Sequence, residues 1–514
     1  MDKVKKILKN LSSSRSTGID ELDNFSLKLA GDYIAQPIHH IVCLSIIQSK
    51  FPCSWKVSKV IPLHKKDDKL ERKNYRPVSI LSPVSKVLEK VVYEQIYNYF
   101  TRNNLFHPNL HGYRGNRSTQ TALLQMYDRW VRAAHGDGPG QHGQLSGVVL
   151  LDLSAAFDLV DPNLLLQKLE VYGFDKSFLA WVKTYLTDRQ QAVWIDHAFS
   201  SLKSCPVGVP QGSNLGPLFF LVFYNDLPYS VDCPVDAYAD DSTMTVTGRT
   251  VEEIGTSLTE NCRVVSNWML KNRLKLNAEK THLMTVGTGA RLRMQDSKVE
   301  VVMDGIYLKE SNEKYETLLG CNIEPDLKWH KQVYKLQMKL KMRLSALHHL
   351  KGMIPFHMKK RITEGIFTSV LSYCLPVFGG CDKGEIESLQ VMQNKAARLV
   401  TNLGQRASRE IIFKQVGWMT VNQLVFYHSA LATFRIRQSK EPEYLSKIMN
   451  RNNRANKIII PHTRLSLAKN SYCFRAAAQW NCLPERIRNI IRISPFKVQL
   501  RSWVHQNISQ FQDP

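Results

Sequence analysis

Apolar positions along the chain follow two rhythms. Gly147-Val148-Val149-Leu150-Leu151-Asp152-Leu153 is a continuous apolar run with one acid near its end, the pattern of a strand buried on both faces. Trp55 to Leu63 and His282 to Val286 also read as strands. Ala237-Tyr238-Ala239-Asp240-Asp241 followed by Ser242 to Val246 sets two β-prone runs around two adjacent acids, which predicts a hairpin with the acids at its tip. Helical spacing fills most of the remainder. It runs over Leu27 to Lys50, then on Val84, Val87, Leu88, Val91, Val92 and Ile96 behind a Ser82-Pro83 start. It recurs on Leu123, Met126, Tyr127 and Trp130, and in helices opened by Asp161 and Asp175. A capping-box start at Thr250 to Glu253 opens another, with Ile254, Leu258, Cys262, Val265 and Met269 inward. The order strand, helix, strand, hairpin, helix, strand predicts a mixed sheet of the split βαβ type.

Composition narrows the class. The chain has 514 residues and 43% hydrophobic content, enough for sizeable cores in several subdomains. Lys and Arg outnumber Asp and Glu by 69 to 45, a net charge of +24, which points to a polyanionic partner such as nucleic acid. The ten cysteines form no Cys-x-x-Cys pair, so neither a zinc knuckle nor a disulfide framework is indicated. Reduced thiols fit an intracellular setting. No apolar run approaches membrane-spanning length.

The chemistry gathers on the acids. Asp240 and Asp241 repel each other, and Asp152 at the end of a buried strand is costly without an ionic partner. Hard divalent cations suit such oxygen ligands. A strand-end acid joined to a hairpin-tip pair is the ligand set of two-metal phosphoryl transfer, with ions about 3.5–4 Å apart. Lys65, Lys66 and Arg76 are candidate phosphate contacts on a β-ribbon. The loop His111 to Thr119, with Arg114 and Arg117, is a candidate template grip. Gly208 to Pro217 is a Gly/Pro-punctuated loop opening an apolar helix, whose N-terminus offers N–H donors to a ligand. Lys335, Lys339, Lys341 and Arg343 lie among leucines on a helix suited to follow a duplex.

Five motifs stand in series: Tyr75-Arg76-Pro77-Val78-Ser79, Asp152 to Asp158, Gly208-Val209-Pro210-Gln211-Gly212-Ser213, Tyr238-Ala239-Asp240-Asp241 and Leu274-Lys275-Leu276-Asn277. With Leu318-Leu319-Gly320-Cys321 behind them, the series resembles a reverse transcriptase, most similar to the jockey-like polymerases of non-LTR (LINE-type) retrotransposons. The resemblance spans residues 15–330, and the tail motif Trp480-Asn481-Cys482-Leu483-Pro484 is also similar. It implies an α+β right-hand polymerase: fingers, a palm on a ferredoxin-like split βαβ sheet, and a thumb, followed by a helical C-terminal extension. It implies two Mg²⁺ or Mn²⁺ ions on Asp152, Asp240 and Asp241. Arg76 and Lys65 would lie over the triphosphate, Phe157 under the sugar as the residue excluding a 2′-hydroxyl, and Gln211, Gly212 and Tyr238 around the incoming nucleotide. Lys280 resembles the lysine that protonates pyrophosphate, and Leu319-Gly320 the turn that grips the primer. Implied partners are an RNA template, a DNA primer and dNTPs.

The expected division is 1–44 as a helical extension leading into the fingers, 45–323 as fingers and palm, 324–400 as thumb and 401–514 as a basic helical region. Arg451-Asn452-Asn453-Arg454 reads as a basic linker, and Arg475 to Val504, with Trp480 and Trp503, as an RNA-binding tail. The start lies too near the fingers to hold the endonuclease of such elements. A truncated copy, a partial reading frame, or a polymerase that borrows a primer from the nick of a separate endonuclease are the open readings, with residence in nucleus and cytoplasm expected. A catalytically idle RNA-binding protein of the same fold is the alternative. An RNA-directed RNA polymerase is disfavoured by Phe157.

Overall fold

The computed structural model describes residues 1–507 except 66, 137–142, 296, 309, 311–313, 350–351, 405 and 452–455. Lys66, most of the linker read at 451–454 and the centre of the Gly-rich stretch before residue 147 lie outside the described residues.

Two helices, α1 (Asp2–Lys9) and α2 (Asn24–Ile47), pack against each other and against α3 (Pro83–Arg102). Strands β1 (Val57–His64) and β2 (Tyr75–Ile80) form an antiparallel ribbon, registered from Lys59 opposite Ile80 to His64 opposite Tyr75. Helix α4 (Thr119–His135) then leads to β3 (Leu145–Leu151), and α5 (Pro162–Val171) and α6 (Lys176–Leu186) lead to β4 (Gln190–Ile195). Strand β4 pairs parallel with β1, which extends the fingers sheet. The caps expected at Asp161 and Asp175 are present: Asp161 accepts from Asn163 and Leu164 N–H, and Asp175 from Phe178 N–H.

The palm follows. Helix α7 (Leu215–Tyr224) precedes the hairpin of β5 (Val235–Tyr238) and β6 (Asp241–Gly248), then come α8 (Val251–Lys271) and β7 (His282–Val286). The sheet order is β7-β3-β6-β5. Its strand pairings are antiparallel, and only isolated bridges at its two edges, Leu110 with Ala237 and Leu283 with Glu310, are parallel. The mixed sheet expected from the element order is corrected to that extent; the parallel strand pair lies in the fingers. One face of the palm sheet carries α7 and α8. Gly147 is glycine because a Cβ there would lie 2.3 Å from Ile254 and 2.7 Å from Leu258 of α8. The other face carries α4, whose Trp130 indole N–H donates to the Thr245 hydroxyl at 3.2 Å.

Beyond the palm, a small hairpin of β8 (Glu316–Leu318) and β9 (Cys321–Ile323) precedes the basic helix α9 (His330–His349). Leu336, Leu340 and Leu347 of α9 are buried while Lys339, Lys341 and Arg343 face solvent. Helices between residues 356 and 506 complete the chain. One hydrophobic cluster joins α1, α2, α3, α7, α8 and one face of the palm sheet. A second joins α4, the opposite face, the thumb and the C-terminal helices.

Candidate active site

The register of the palm sheet brings distant residues together. Leu151 stands opposite Ser242 and Leu150 opposite Thr243, so one further step sets Asp152 against Asp241. On the other flank Lys275 is opposite Ser154 and Leu276 opposite Leu153, the Asn277 N–H donates to the Asp152 carbonyl at 2.9 Å, and the Asp152 N–H donates to the Thr281 hydroxyl at 3.3 Å. Residues directly opposite in antiparallel strands share a face. Asp241, Asp152 and Lys280, the last from the short 3-10 turn Ala278–Lys280, still gather as one row because all three line the same cavity, with Asp240 in the hairpin turn next to it. That cavity holds about 330 Å³ and is lined also by His282, Glu316, Leu318 and Leu319.

The electrostatics agree with that row. Burial pushes the Asp152 carboxyl above the ordinary range; Lys280 and Lys65 pull it down, and Asp240 adds to the rise. Burial also raises Asp241, followed by the charges of Asp240 and Asp152. Among the described residues no side chain or backbone donor bonds to the Asp152, Asp240 or Asp241 carboxylates. Three carboxylates with no protein donor, Asp152 and Asp241 among them with raised proton affinity, fit hard divalent cations.

The acid-bearing turn is held from behind. Tyr238 pairs with Asp241, and Ala239 takes φ 60°, a left-handed conformation that is uncommon outside glycine and is maintained by its surroundings. The His111 N–H donates to the Ala237 carbonyl at 2.7 Å, and a Cβ on Gly112 would lie 2.3 Å from the Ala239 nitrogen. Buried Asp236, on the same strand, accepts from Gln125 at 2.8 Å and pairs with Arg129.

This bracing corrects the reading of Arg114 and Arg117 as template contacts. Both guanidiniums turn inward and pair with Glu441, and their side chains are only 10% and 1% exposed. Arg114 also donates to the His107 carbonyl at 2.9 Å, and Arg117 to the Pro108 carbonyl. The residue of this loop that faces the cleft is Tyr113. Its ring meets Phe157 edge-on at 6.1 Å, and its hydroxyl is raised by burial and then by the charge of Asp240. An aromatic after a glycine was the only local signal for it.

Phe157 stacks on Phe220 of α7 at 4.7 Å, so one face is core and one edge is left toward the cleft. Gln211 donates its amide to Asp158 at 2.8 Å, and its carbonyl accepts from Ser79 N–H of the fingers at 2.8 Å. Gly212 takes φ 129°, and a Cβ there would lie 2.2 Å from the Ser79 carbonyl oxygen. The N–H groups that open α7 are not free for a ligand, which corrects that expectation. Glu89 of α3, fully buried, accepts from Asn214 N–H at 2.6 Å and Leu215 N–H at 3.4 Å, and Ser213 Oγ takes Gly216 N–H. Glu89 was legible only as an acid on the buried stripe of α3.

Lys65 at the end of β1 and Arg76 on β2 are exposed, and Lys65 reaches both Asp152 and Asp241 electrostatically. Leu319 and Gly320 form the turn between β8 and β9, at φ 47° and 81°. In the basic, aromatic tail the three residues singled out turn inward, while Arg486, Arg492, Lys497 and Arg501 are exposed. Arg475 is half-buried and donates to the Asn470 and Pro376 carbonyls at 2.9 Å each, and Trp480 and Trp503 lie in the core.

With this geometry in view, the comparisons decide the family. The family profile described as reverse transcriptase (RNA-dependent DNA polymerase) matches residues 63–323, just over half of the chain. The chain belongs to the reverse transcriptase family. The similar curated proteins include the probable RNA-directed DNA polymerase from transposon BS of Drosophila melanogaster, 25% identical over 85% of this chain and 48% of that protein. The RNA-directed DNA polymerase from mobile element jockey of the same fly is 23% identical over 78% of this chain and 44% of its own length. The jockey-like resemblance drawn from the motif series is borne out by these relatives. The chain spans about half the length of the curated relatives it matches. Among solved structures, a Candida tropicalis telomerase in complex with a fragment of telomeric RNA overlays with a TM-score of 0.40 and 11% identity. That overlay covers 88% of this chain and 64% of the other. At that score the likeness carries no inference. No described helix is long and apolar enough to cross a membrane.

Proposed function

We propose that this reverse-transcriptase-family chain is the polymerase of a non-LTR retrotransposon, extending a DNA primer 3′-hydroxyl on an RNA template. The observation that carries the reading is the row of Asp241, Asp152 and Lys280 with Asp240 at the turn: three carboxylates with no protein donor, beside a cation.

Asp152, Asp240 and Asp241 would hold two Mg²⁺ or Mn²⁺ ions. When bound, such ions make the primer hydroxyl a better nucleophile and offset phosphate charge. Lys65 and Arg76 reach over the acids from the fingers and neutralise triphosphate oxygens as negative charge grows on the leaving pyrophosphate. Lys280 stands beside Asp152 and is suited to give a proton to that leaving group. Phe157, backed by Phe220, blocks the space a 2′-hydroxyl would need. Gln211 and Gly212, fixed to Ser79, and Tyr238 shape the floor under the nascent base pair. Leu319 and Gly320 bear on the primer strand. The template is read by base pairing, and the excess of positive charge supplies salt-dependent affinity for an A-like duplex. The protein works in the nucleus after passing through the cytoplasm. No observation favours the idle RNA-binding alternative.

Primer extension by the purified chain tests this. With Mg²⁺, dNTPs and a primed RNA template the product lengthens, and Asp240→Asn stops it. Extension by that variant at wild-type rate would overturn the assignment of the acids.

A further inference from the structure

The turn between β8 and β9 is an awkward piece of backbone. Leu319 and Gly320 both have positive φ, a conformation that a leucine adopts only when its surroundings impose it. What imposes it comes from elsewhere in the chain. Tyr373 follows the short helix Ser369–Ser372 and precedes Cys374, itself at φ 52°. Its hydroxyl donates to the Leu319 carbonyl oxygen at 2.7 Å and lies 3.1 Å from the hydroxyl of Thr119, at the first turn of α4. Its ring covers Gly320 so closely that a Cβ there would stand 3.3 Å from the ring edge. Behind the turn, the buried thiols of Cys374 and of Cys321, the first residue of β9, are hydrogen-bond neighbours.

The turn is therefore clamped at front and rear by two consecutive residues of the thumb, and tied to the palm through Thr119. Leu319 lines the cavity that holds Asp152 and Asp241. Tyr373 is still 43% exposed, so it is not simply a core residue that happens to touch the turn.

We infer that Tyr373 is a positioning residue that couples the thumb to the Leu319-Gly320 turn and thereby sets where the sugar-phosphate backbone of the primer 3′ end lies relative to the acids. This rests on the polymerase reading and on the assignment of that turn to the primer. A free turn would relax toward negative φ and withdraw the Leu319 carbonyl and side chain from the cavity. The chemistry would be intact, but the primer end would dwell less often in register. The ligand class is a duplex end with a recessed DNA 3′-terminus, not the nucleotide.

Tyr373→Phe removes the hydroxyl and keeps the ring. One measurement is affinity for a primed RNA template in metal-free buffer, read by fluorescence anisotropy, which needs no turnover. The second is steady-state incorporation of the first nucleotide, with primer–template and dNTP varied separately. Loss of one neutral hydrogen bond predicts roughly three- to tenfold weaker primer–template binding and an equal rise in its KM. The kcat at saturating primer–template and the KM for dNTP stay at wild-type values, and products shorten in single-binding extension. A merely structural tyrosine would instead lower the melting temperature and the active fraction without splitting the two KM values. Unchanged primer–template affinity, or an equal rise in both KM values, overturns the proposal. If the wild-type chain binds the primed template but extends nothing, the polymerase reading fails instead, and the anisotropy comparison still judges Tyr373.

Discussion

Replacing Asp241 by Asn should abolish metal-dependent activity and at the same time make the metal-free protein more stable. Asp152 and Asp241 lie one step beyond the last paired residues, Leu151 and Ser242, of neighbouring antiparallel strands and line one cavity. Their Cβ atoms are then about 5 Å apart, where two full charges repel by roughly 3 kcal/mol at an effective dielectric of about 20. Asp241 is open to solvent on one side, which reduces the expected gain to about 1–2 kcal/mol. Both carboxyls are pushed above their ordinary range, chiefly by burial, so the folded protein holds these protons more tightly than the unfolded chain does. The wild-type protein thus loses stability as pH rises through those raised values. The advantage of the Asn variant should be full at pH 7.5 and fade as pH falls into the carboxylate range. Equilibrium urea unfolding in EDTA, followed by tryptophan fluorescence at several pH values, reads it. Millimolar Mg²⁺ should stabilise the wild type more than the variant. A variant less stable than wild type in EDTA at pH 7.5, or an advantage independent of pH, would refute the picture of three acids crowded together with Lys65 and Lys280 too few to balance them.

Gly212→Ala forces a methyl against the Ser79 carbonyl at a backbone angle reserved for glycine; about 2–4 kcal/mol of lost stability and a raised KM for dNTP are expected, by denaturation and steady-state kinetics. Glu441→Ala leaves the Arg114 and Arg117 guanidiniums inward without their carboxylate. The expected loss is roughly 2–4 kcal/mol by urea unfolding, discounted for the part of Glu441 that reaches solvent. Phe157→Val should lower the preference for dNTP over NTP by at least about tenfold in single-nucleotide incorporation, and an unchanged ratio would remove Phe157 from sugar selection.

The sequence spoke most clearly where structure is local. The caps at Asp161, Asp175 and Thr250 depend on neighbours two or three residues away, and all are in place. The strand run at 147–153 and its terminal acid were legible because an isolated carboxylate in an apolar run is costly. The readings that failed depended on distant partners. Arg114 and Arg117 look like nucleic-acid contacts until Glu441, more than 300 positions downstream, is folded against them. Arg475 looks like part of an RNA-binding tail, yet it donates to two backbone carbonyls, one of them 99 residues upstream. The free N–H groups expected at α7 are taken by Glu89, a pairing across 125 residues that no local motif announces. Strand polarity in the palm was likewise not fixed by element order.

Helix α4 has consequences for how such a gene can decay. It is enclosed by the palm sheet on one side and by C-terminal helices on the other, with Tyr444 bonded to its Asp128 at 2.8 Å and Trp130 only 1% exposed. A reading frame broken downstream of the last polymerase motif would leave the wall behind the acids without its outer cover, even with every motif intact. Selection on the polymerase is thus expected to reach far into the tail.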